Sequence, residues 1–596
     1  MRYMILMMVV GLAPSIHAAA EDSATLAPVI VTASRSPQAT DDVVLPIIVI
    51  SGEEIQRRQV TDLAELLATV PGIDIGRNGG PGQATSLFVR GTESNHVLVL
   101  VDGLRINPST IGGPNLQHID PAMVERIEIL RGPRAAIYGD QAMGGVINII
   151  TRADVGSPGV SASLRVGSDS TAGVDAHIGA RHAAWSFDLA AGTEYTDGYA
   201  FRRGSAVTPD YRNTSMDLGV SHRGDGASTS IRVWEARTDL VYLDFFLAPL
   251  SQTSDNRTLQ LERTDRIGAD WSSNLRFSQS LDDIRQDQSS DFVRSDRLAI
   301  DWLNRIDLGD DLMLGIGINL EQERASAFSF GSGFDQRSDH RAIYGDLIGG
   351  SGPDDWMLAL RYSDYERAGG QLTWNAEYSH RRLSGIRMYA SAGTAFRAPD
   401  AFDRYGFGGD PDLDPERSTS LELGLEHDFA PGRELRLSLY HTEIRDLIEF
   451  DLGSFTLMNT ERARIVGLEL AYALRSGPWE MQAAAVLQRP DNLSTGTDLA
   501  RRAGRSLDLA LSRELGLWHL RADLQLVGAR LDSPFAATRI GGYALLDLAV
   551  SRQLSDEFVL RLRVENLGDA AYQTADGYLG RGRSLFLTLG YQRGRD

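Results

Sequence analysis

The residue types that carry most enzyme chemistry are missing or scattered in this chain. Its 596 residues include no cysteine, which rules out thiolate zinc sites, Fe–S clusters and a disulfide framework. No lysine occurs, so all 59 basic residues are arginine, and neither a phosphate-loop lysine nor a Schiff-base lysine has a candidate. "GGPGQATS" at 79–86 is glycine-rich, but without a lysine it lacks the P-loop spacing. "DPDLDPE" at 410–416 has D-x-D-x-D spacing, yet Pro415 stands where an EF-hand needs glycine and no glutamate closes the loop, so it reads as a turn. The 11 histidines are dispersed, no Ser/His/Asp set is suggested by spacing, and the chain reads as a non-enzyme. One short segment does offer a chemistry, that of backbone pairing. "LAPVIVTASR", Leu26 to Arg35, is β-branched, flanked by polar residues and without hydrophobic neighbours to pack on. Such an extended segment can add a strand to a partner's sheet edge, with main-chain hydrogen bonds supplying the affinity.

The surrounding elements say where this happens. Net charge is −21, which argues against a nucleic-acid partner because phosphate binding wants a basic surface. Hydrophobic content is 42% and mean hydropathy −0.20, too polar for a bundle of membrane helices, and beyond the N-terminus no run approaches the roughly 20 apolar residues a spanning helix needs. The start, "MRYMILMMVVGLAPSIHAAAED", sets Arg2 before an apolar stretch and ends it in Ala18-Ala19-Ala20. That order predicts a signal peptide over 1–20, cleaved after Ala20, and an exported protein. Residues 21–42 form a tail. From 43 to 152 the pattern is mixed α/β. "VVLPIIVI" reads as a strand, Ser51 and Glu54 as a capping box, and "TDLAELLATVPG" as a helix with Leu63, Leu66, Leu67 and Val70 on one face, stopped by Pro71-Gly72. "SLFVRG", "VLVLVDG" and "VERIEILRG" are further short strands. The charges of the last (Glu125, Arg126, Glu128, Arg131, and Arg134 beyond it) are expected to face a wall and to pair with residues such as Arg561, Arg563 and Glu565.

From 153 to 596 the period is two. "FVLRLRVEN" sets Phe558, Leu560, Leu562 and Val564 against Arg561, Arg563 and Glu565, and "LRADLQL" sets Leu520, Ala522, Leu524 and Leu526 against Arg521, Asp523 and Gln525. The alternation runs for most of the chain with turn residues between strands. One face carries full charges, which both inner faces of a sandwich would exclude. A transmembrane β-barrel accommodates them, with apolar residues toward lipid and charged residues toward a wet lumen. This length closes at roughly 20 or more antiparallel strands, and a barrel that wide needs a plug. The N-terminal α/β domain inside the lumen is the candidate.

The plug segments "VPGIDIGRNGGPGQATSLFVRGTESNHVLVLVDGLRIN" and "VERIEILRGPRAAIYGDQAMGGVINIITR" resemble those of TonB-dependent outer-membrane receptors. "GTAFRAPDAFDRYGFGGDPDLDPERS", "NTERARIVGLELAY" and the closing "RVENLGDAAYQTADGYLGRGRSLFLTLGY" are similar to that family's barrel. Within the family, "GQATSLFVRGTESNHVLVLVDG" and "RYGFGGDPDLDPE" look most like its cobalamin-receptor branch. The resemblance implies a barrel of about 22 strands in the bacterial outer membrane, surrounded by its lipid and inserted by the barrel assembly machinery. It implies a TonB box at Pro28, Val29, Ile30, Val31, Thr32 and Ala33, on which TonB and its inner-membrane motor complex pull. The implied cargo is cobalamin or a related corrinoid; the alternative is a ferric siderophore or haem. The residues implied at the ligand are Ala84, Ser86, Glu93, Ile111 and Gly112 of the plug and Arg501 and Phe535 of barrel loops. Asp197, Asp210, Asp244 and Asp255 match positions at which the family binds calcium between extracellular loops, and calcium is the one ion implied, in a structural role. Barrels of this kind end on an aromatic residue, and Tyr591 is expected to take that place with "QRGRD" as an overhang.

Overall fold

The structure, a computed structural model, describes residues 29–30, 35, 38–39, 43–110, 112–152, 158–309, 311–329, 331–382, 385–533 and 537–594. The signal segment 1–20, Pro28, Val31, Thr32, Ala33, Ile111 and Phe535 lie outside them. Twenty-two long antiparallel strands form a closed barrel, and Gly159–Gly167 pairs with the final strand Ser584–Arg593 to complete it. A two-residue strand, Thr497–Asp498, extends one loop against Asp491–Asn492. Closure satisfies every strand's backbone on both sides, as a spanning sheet requires where no water is present.

Alternation sets the two faces as the residue pattern predicts. Phe558, Leu562, Leu468 and Leu470 are exposed on the outside, while Arg563, Glu565 and Glu469 are buried against the lumen contents. At one end the strands join through turns of two to four residues, and Trp185, Trp271, Trp479, Trp518 and Phe558 ring the barrel beside these turns. Short turns beneath an aromatic girdle mark the periplasmic end. Tyr591 lies in that girdle, its ring 5.1 Å from that of Phe558. At the extracellular end connections reach 18 residues, at 398–415 and 566–583. Strand length varies around the wall, from 8 residues in Phe558–Glu565 beside the seam to 21 in Thr456–Ser476.

The plug fills the lumen around a five-stranded mixed sheet ordered Ile48–Ser51, Val124–Arg131, Gly145–Thr151, Val97–Val101 and Leu104–Arg105. A separate hairpin, Ile73–Arg77 with Thr85–Val89, stands toward the extracellular end. Helix Gly52–Arg58 starts where Ser51 Oγ accepts the Glu54 N–H (3.2 Å). Helix Leu63–Ala68 is capped by Asp62 and buries Leu63, Leu66 and Leu67 fully. Together with Leu87, Val97, Val99, Ile127, Ile147 and Ile149 they make one dry core, each such side chain contributing about 1.5–3 kcal/mol. The strand read over "VVLPIIVI" is shorter than its apolar run. Pro46 has no N–H to give a ladder, and Val43 and Val44 instead present their carbonyls to Arg387 of the wall.

Candidate functional site

The plug is fastened to the wall by buried charge. Arg90, just after the hairpin, donates through Nη1 and Nη2 to Glu422 (2.8 Å each), through Nε and Nη2 to Glu469 (3.1 and 3.0 Å), and through Nη2 to Ser438 Oγ (3.1 Å). Its ring neighbour Tyr440 lies 4.5 Å from the guanidinium. Burial opposes the Arg90 charge, but the two glutamates more than offset it and raise its pKa above the usual arginine value. Arg131 reaches the same Glu469 (2.5 Å) and Arg134 pairs with Glu377. His96 is fully buried. Its Nδ1 accepts the Glu93 N–H, so Nε2 carries the proton and donates to Glu416 Oε2 (3.0 Å). Glu416 in turn holds Arg397, which caps outward onto Asp403 (2.5 Å) of an extracellular loop.

These partners correct the expected pairing of the "VERIEILRGPR" charges. Arg126 bonds Glu128 within the plug, and Arg131 and Arg134 meet Glu469 and Glu377 on wall strands away from the seam. Arg561, Arg563 and Glu565 stand on the seam side instead, where Arg561 donates to Gln56 (3.4 Å) and Arg563 to the Arg58 carbonyl. Alternation tells which residues point inward but not which part of the plug sits opposite them.

At the apex the hairpin tip wedges into the wall. Gly79 at φ +138° and Gly80 pack on Phe201 and Tyr199, and a Cβ on Gly79 would lie 2.7 Å from the Phe201 ring. Phe201 is stacked on Tyr578 and 2% exposed, which ties loop 197–210 to the closing loop 566–583. Ala84 is exposed beside this tip, and Ser86 is half-buried opposite Gly76. Arg501, at φ +66°, leans over the same hairpin: Nη1 donates to Asn78 Oδ1 and Nε to Asp532 Oδ1 (3.2 Å each). Its Cδ is 3.5 Å from the Cβ position of Gly76. Glu93 receives Arg502, whose guanidinium sits 4.4 Å from the Phe88 ring centre. Gly113, next to Gly112, abuts Ser94. Ala84, Ser86, Glu93, Gly112 and Arg501 therefore share one apical region. Sequence order alone did not single out Phe201, Tyr199, Tyr578 and Arg502, because nothing local distinguishes a loop aromatic that meets the plug from one facing water.

The four aspartates are arranged differently. Asp197 accepts the Tyr195 hydroxyl (2.5 Å) and Asp210 ends the same loop. The Asp244 carboxylate is committed to its own turn, accepting the N–H groups of Phe246 and Ala248 (2.8 Å each). Asp255 faces Arg237 (3.9 Å) on the next strand. Among the described residues no three of these four place ligand atoms within 4.8 Å of one another; Glu321, Glu323 and His340 do, but both glutamates are held by Arg297 (2.7 Å each). As they stand, the four aspartates do not form a coordination shell.

Between the hairpin, helix Leu63–Ala68 and the seam-side wall lies a cavity of about 190 Å³. Glu65 and Asp74 line it, and burial pushes their carboxyls up to about 8 and about 6. On the periplasmic side, Val29–Ile30 pairs with Gln38–Ala39, and Arg35 between them is docked in the lumen. Its Nη2 donates to Asp301 Oδ2 (2.8 Å) and its Nη1 to the Tyr344 hydroxyl (2.9 Å), with Tyr138 and Tyr344 rings 5.6 and 5.3 Å from the guanidinium.

A wide barrel, a lumen closed by a charge-fastened plug and an N-terminal segment parked at the periplasmic mouth define a gated outer-membrane receptor. Two family profiles match: "TonB-dependent Receptor Plug Domain" over residues 39–146 and "TonB dependent receptor-like, beta-barrel" over 150–567. The chain belongs to the TonB-dependent receptor family, acts in TonB-dependent transport and resides in the bacterial outer membrane. Similar solved structures include the siderophore receptor PirA of Acinetobacter baumannii (17% identity, 92% of this chain and 98% of that one, TM-score 0.79). The FrpB iron transporter of Neisseria meningitidis matches at 15% identity over 92% and 99%, TM-score 0.81. The ferric enterobactin receptor PfeA of Pseudomonas aeruginosa matches at 17% identity over 95% and 100%, TM-score 0.80.

Proposed function

We propose that this receptor imports cobalamin or a related corrinoid, bound between the plug apex and the extracellular loops and released by a TonB pull on Pro28 to Ala33. The grouping of Ala84, Ser86 and Gly112 of the plug with Arg501 of a barrel loop carries the reading, because these are positions at which the resemblance to the cobalamin receptors implies ligand contact. An arginine beside an open rim of small residues suits a broad, flat ligand with amide and phosphate arms. Val29 and Ile30 already take extended pairing, the conformation in which a handle adds to a partner's sheet. Calcium binding by Asp197, Asp210, Asp244 and Asp255 would require carboxylates now more than 4.8 Å apart to draw together.

The alternative cargo is a ferric siderophore or haem. It is favoured by a second bay on the opposite side of the mouth, where Arg337, Arg367 and Arg404 outnumber Glu323 and Asp400 beside Gln141 and Asp140 of the plug and would offer guanidinium groups to a more anionic ligand. Equilibrium binding of cyanocobalamin to the detergent-purified receptor, with calcium and then with chelator, separates the readings. Tight binding weakened by chelator supports corrinoid and metal together, and tight binding indifferent to chelator supports the corrinoid alone. No binding in either condition refutes the corrinoid and turns the test to ferric catecholates and haem.

A further inference from the structure

The outward face of four neighbouring strands, Glu416–Ala430, Arg433–Asp451, Thr456–Ser476 and Trp479–Asn492, carries a patch that transport does not use. Strand register aligns its residues in rows around the barrel. One row is Leu423, Leu439, Leu468 and Leu487, paired strand to strand and 37% to 61% exposed. This is the lipid-facing belt. Two residues nearer the extracellular end the row is Leu421, His441, Val466 and Arg489; the next is Thr419, Glu443, Arg464 and Asp491; above it Arg417 stands directly opposite Arg445.

Four guanidinium groups here share three carboxylates. Asp491 serves both Arg464 and Arg489 (2.9 Å each), Asp446 lies 3.4 Å from Arg417, and Glu443 lies 3.9 Å from Arg445 and 3.6 Å from His441. The arginine side chains keep 41% to 78% of their surface exposed. Like charges directly opposite each other on paired strands are unfavourable, and the Arg417–Arg445 pairing occurs in a chain whose net charge is −21. An anion between them would remove the repulsion. Guanidinium groups bind phosphate oxygens in pairs of parallel hydrogen bonds, and the leucine row directly below is suited to acyl chains. The ligand that fits both rows at once is an amphiphile with a phosphorylated head.

We propose that this patch binds a phosphorylated lipid of the outer leaflet, with its phosphates among Arg417, Arg445, Arg464 and Arg489 and its acyl chains on the leucine row. The test uses the full receptor in neutral detergent, with binding of diphosphorylated lipid A from mixed micelles followed by native mass spectrometry. The wild-type receptor should retain it, and R417Q/R445Q/R464Q/R489Q should bind it at least about tenfold more weakly. Dephosphorylated lipid A should bind wild type correspondingly less, and millimolar inorganic phosphate should fail to displace the lipid. Equal binding by the variant, or equal binding of the dephosphorylated lipid, would overturn the proposal. Displacement by inorganic phosphate would reduce it to a bare anion site and overturn it too. The comparison of the two lipids on wild type decides the matter even if the quadruple variant fails to assemble.

Discussion

Replacing Asp301 with alanine should free the N-terminal segment on which we propose that TonB pulls. Asp301 is the ion partner of Arg35, with side chains 12% and 15% exposed, so water screens the pair only in part. Burial disfavours the Arg35 charge, and Asp301 more than offsets it, holding the guanidinium above its usual pKa. Without Asp301 the arginine keeps the Tyr344 hydroxyl and two ring faces but loses its counter-charge. Breaking a fully buried pair costs about 3–5 kcal/mol; a partly exposed one should lose about 2 kcal/mol, or roughly a 30-fold shift toward release. Because the chain has no cysteine, a single spin label at Ala33→Cys reports the segment alone. The mobile fraction should rise sharply in Asp301→Ala and equally in Arg35→Gln. The double variant should add nothing further, since both changes remove one interaction. An immobile label in both single variants would refute the latch, and additive effects would show that Arg35 and Asp301 act separately.

Other consequences follow from the fastening of the plug. Glu469→Gln leaves Arg90 and Arg131 buried with one carboxylate fewer, which should weaken plug docking by about 3–5 kcal/mol; ion conductance in planar bilayers should rise above wild type while the barrel remains folded, and unchanged conductance would contradict the assignment. Asp74 is buried with a carboxyl at about 6, above its unfolded value of about 3.9. Both states are protonated below about pH 3, so its penalty builds between about pH 4 and pH 6 and stays constant above that. Asp74→Asn should therefore stabilise the plug at pH 7 by up to about 3 kcal/mol and have no effect at about pH 3, measured by denaturant or proteolytic opening of the plug. An equal effect at both pH values would count against it.

What could be read from the sequence was whatever repeats or stays local. The alternation of "FVLRLRVEN" gives the barrel's two faces because lipid and lumen select opposite residue types every second position. Ser51, Pro71 and Gly72 mark helix ends because capping is decided within one turn. The fastening of the plug was not legible, since Arg90 meets Glu422 and Glu469 at separations of 332 and 379 residues, and many inward-facing acids offer the same local pattern. Arg35 stood beside the proposed box, yet its partner is 266 residues away. The four aspartates show the opposite case: Asp197, Asp210 and Asp244 sit in loops, but Asp244 spends its carboxylate on its own turn, and Asp255 lies within a strand and faces an arginine on the neighbouring one.

We propose that a motor outside the outer membrane drives this receptor by pulling on one short segment. This is tested most directly by deleting Pro28 to Ala33 and measuring cobalamin binding and energised uptake in the same cells. Surface binding should equal wild type with uptake abolished. Uptake that persists at the wild-type rate would contradict it.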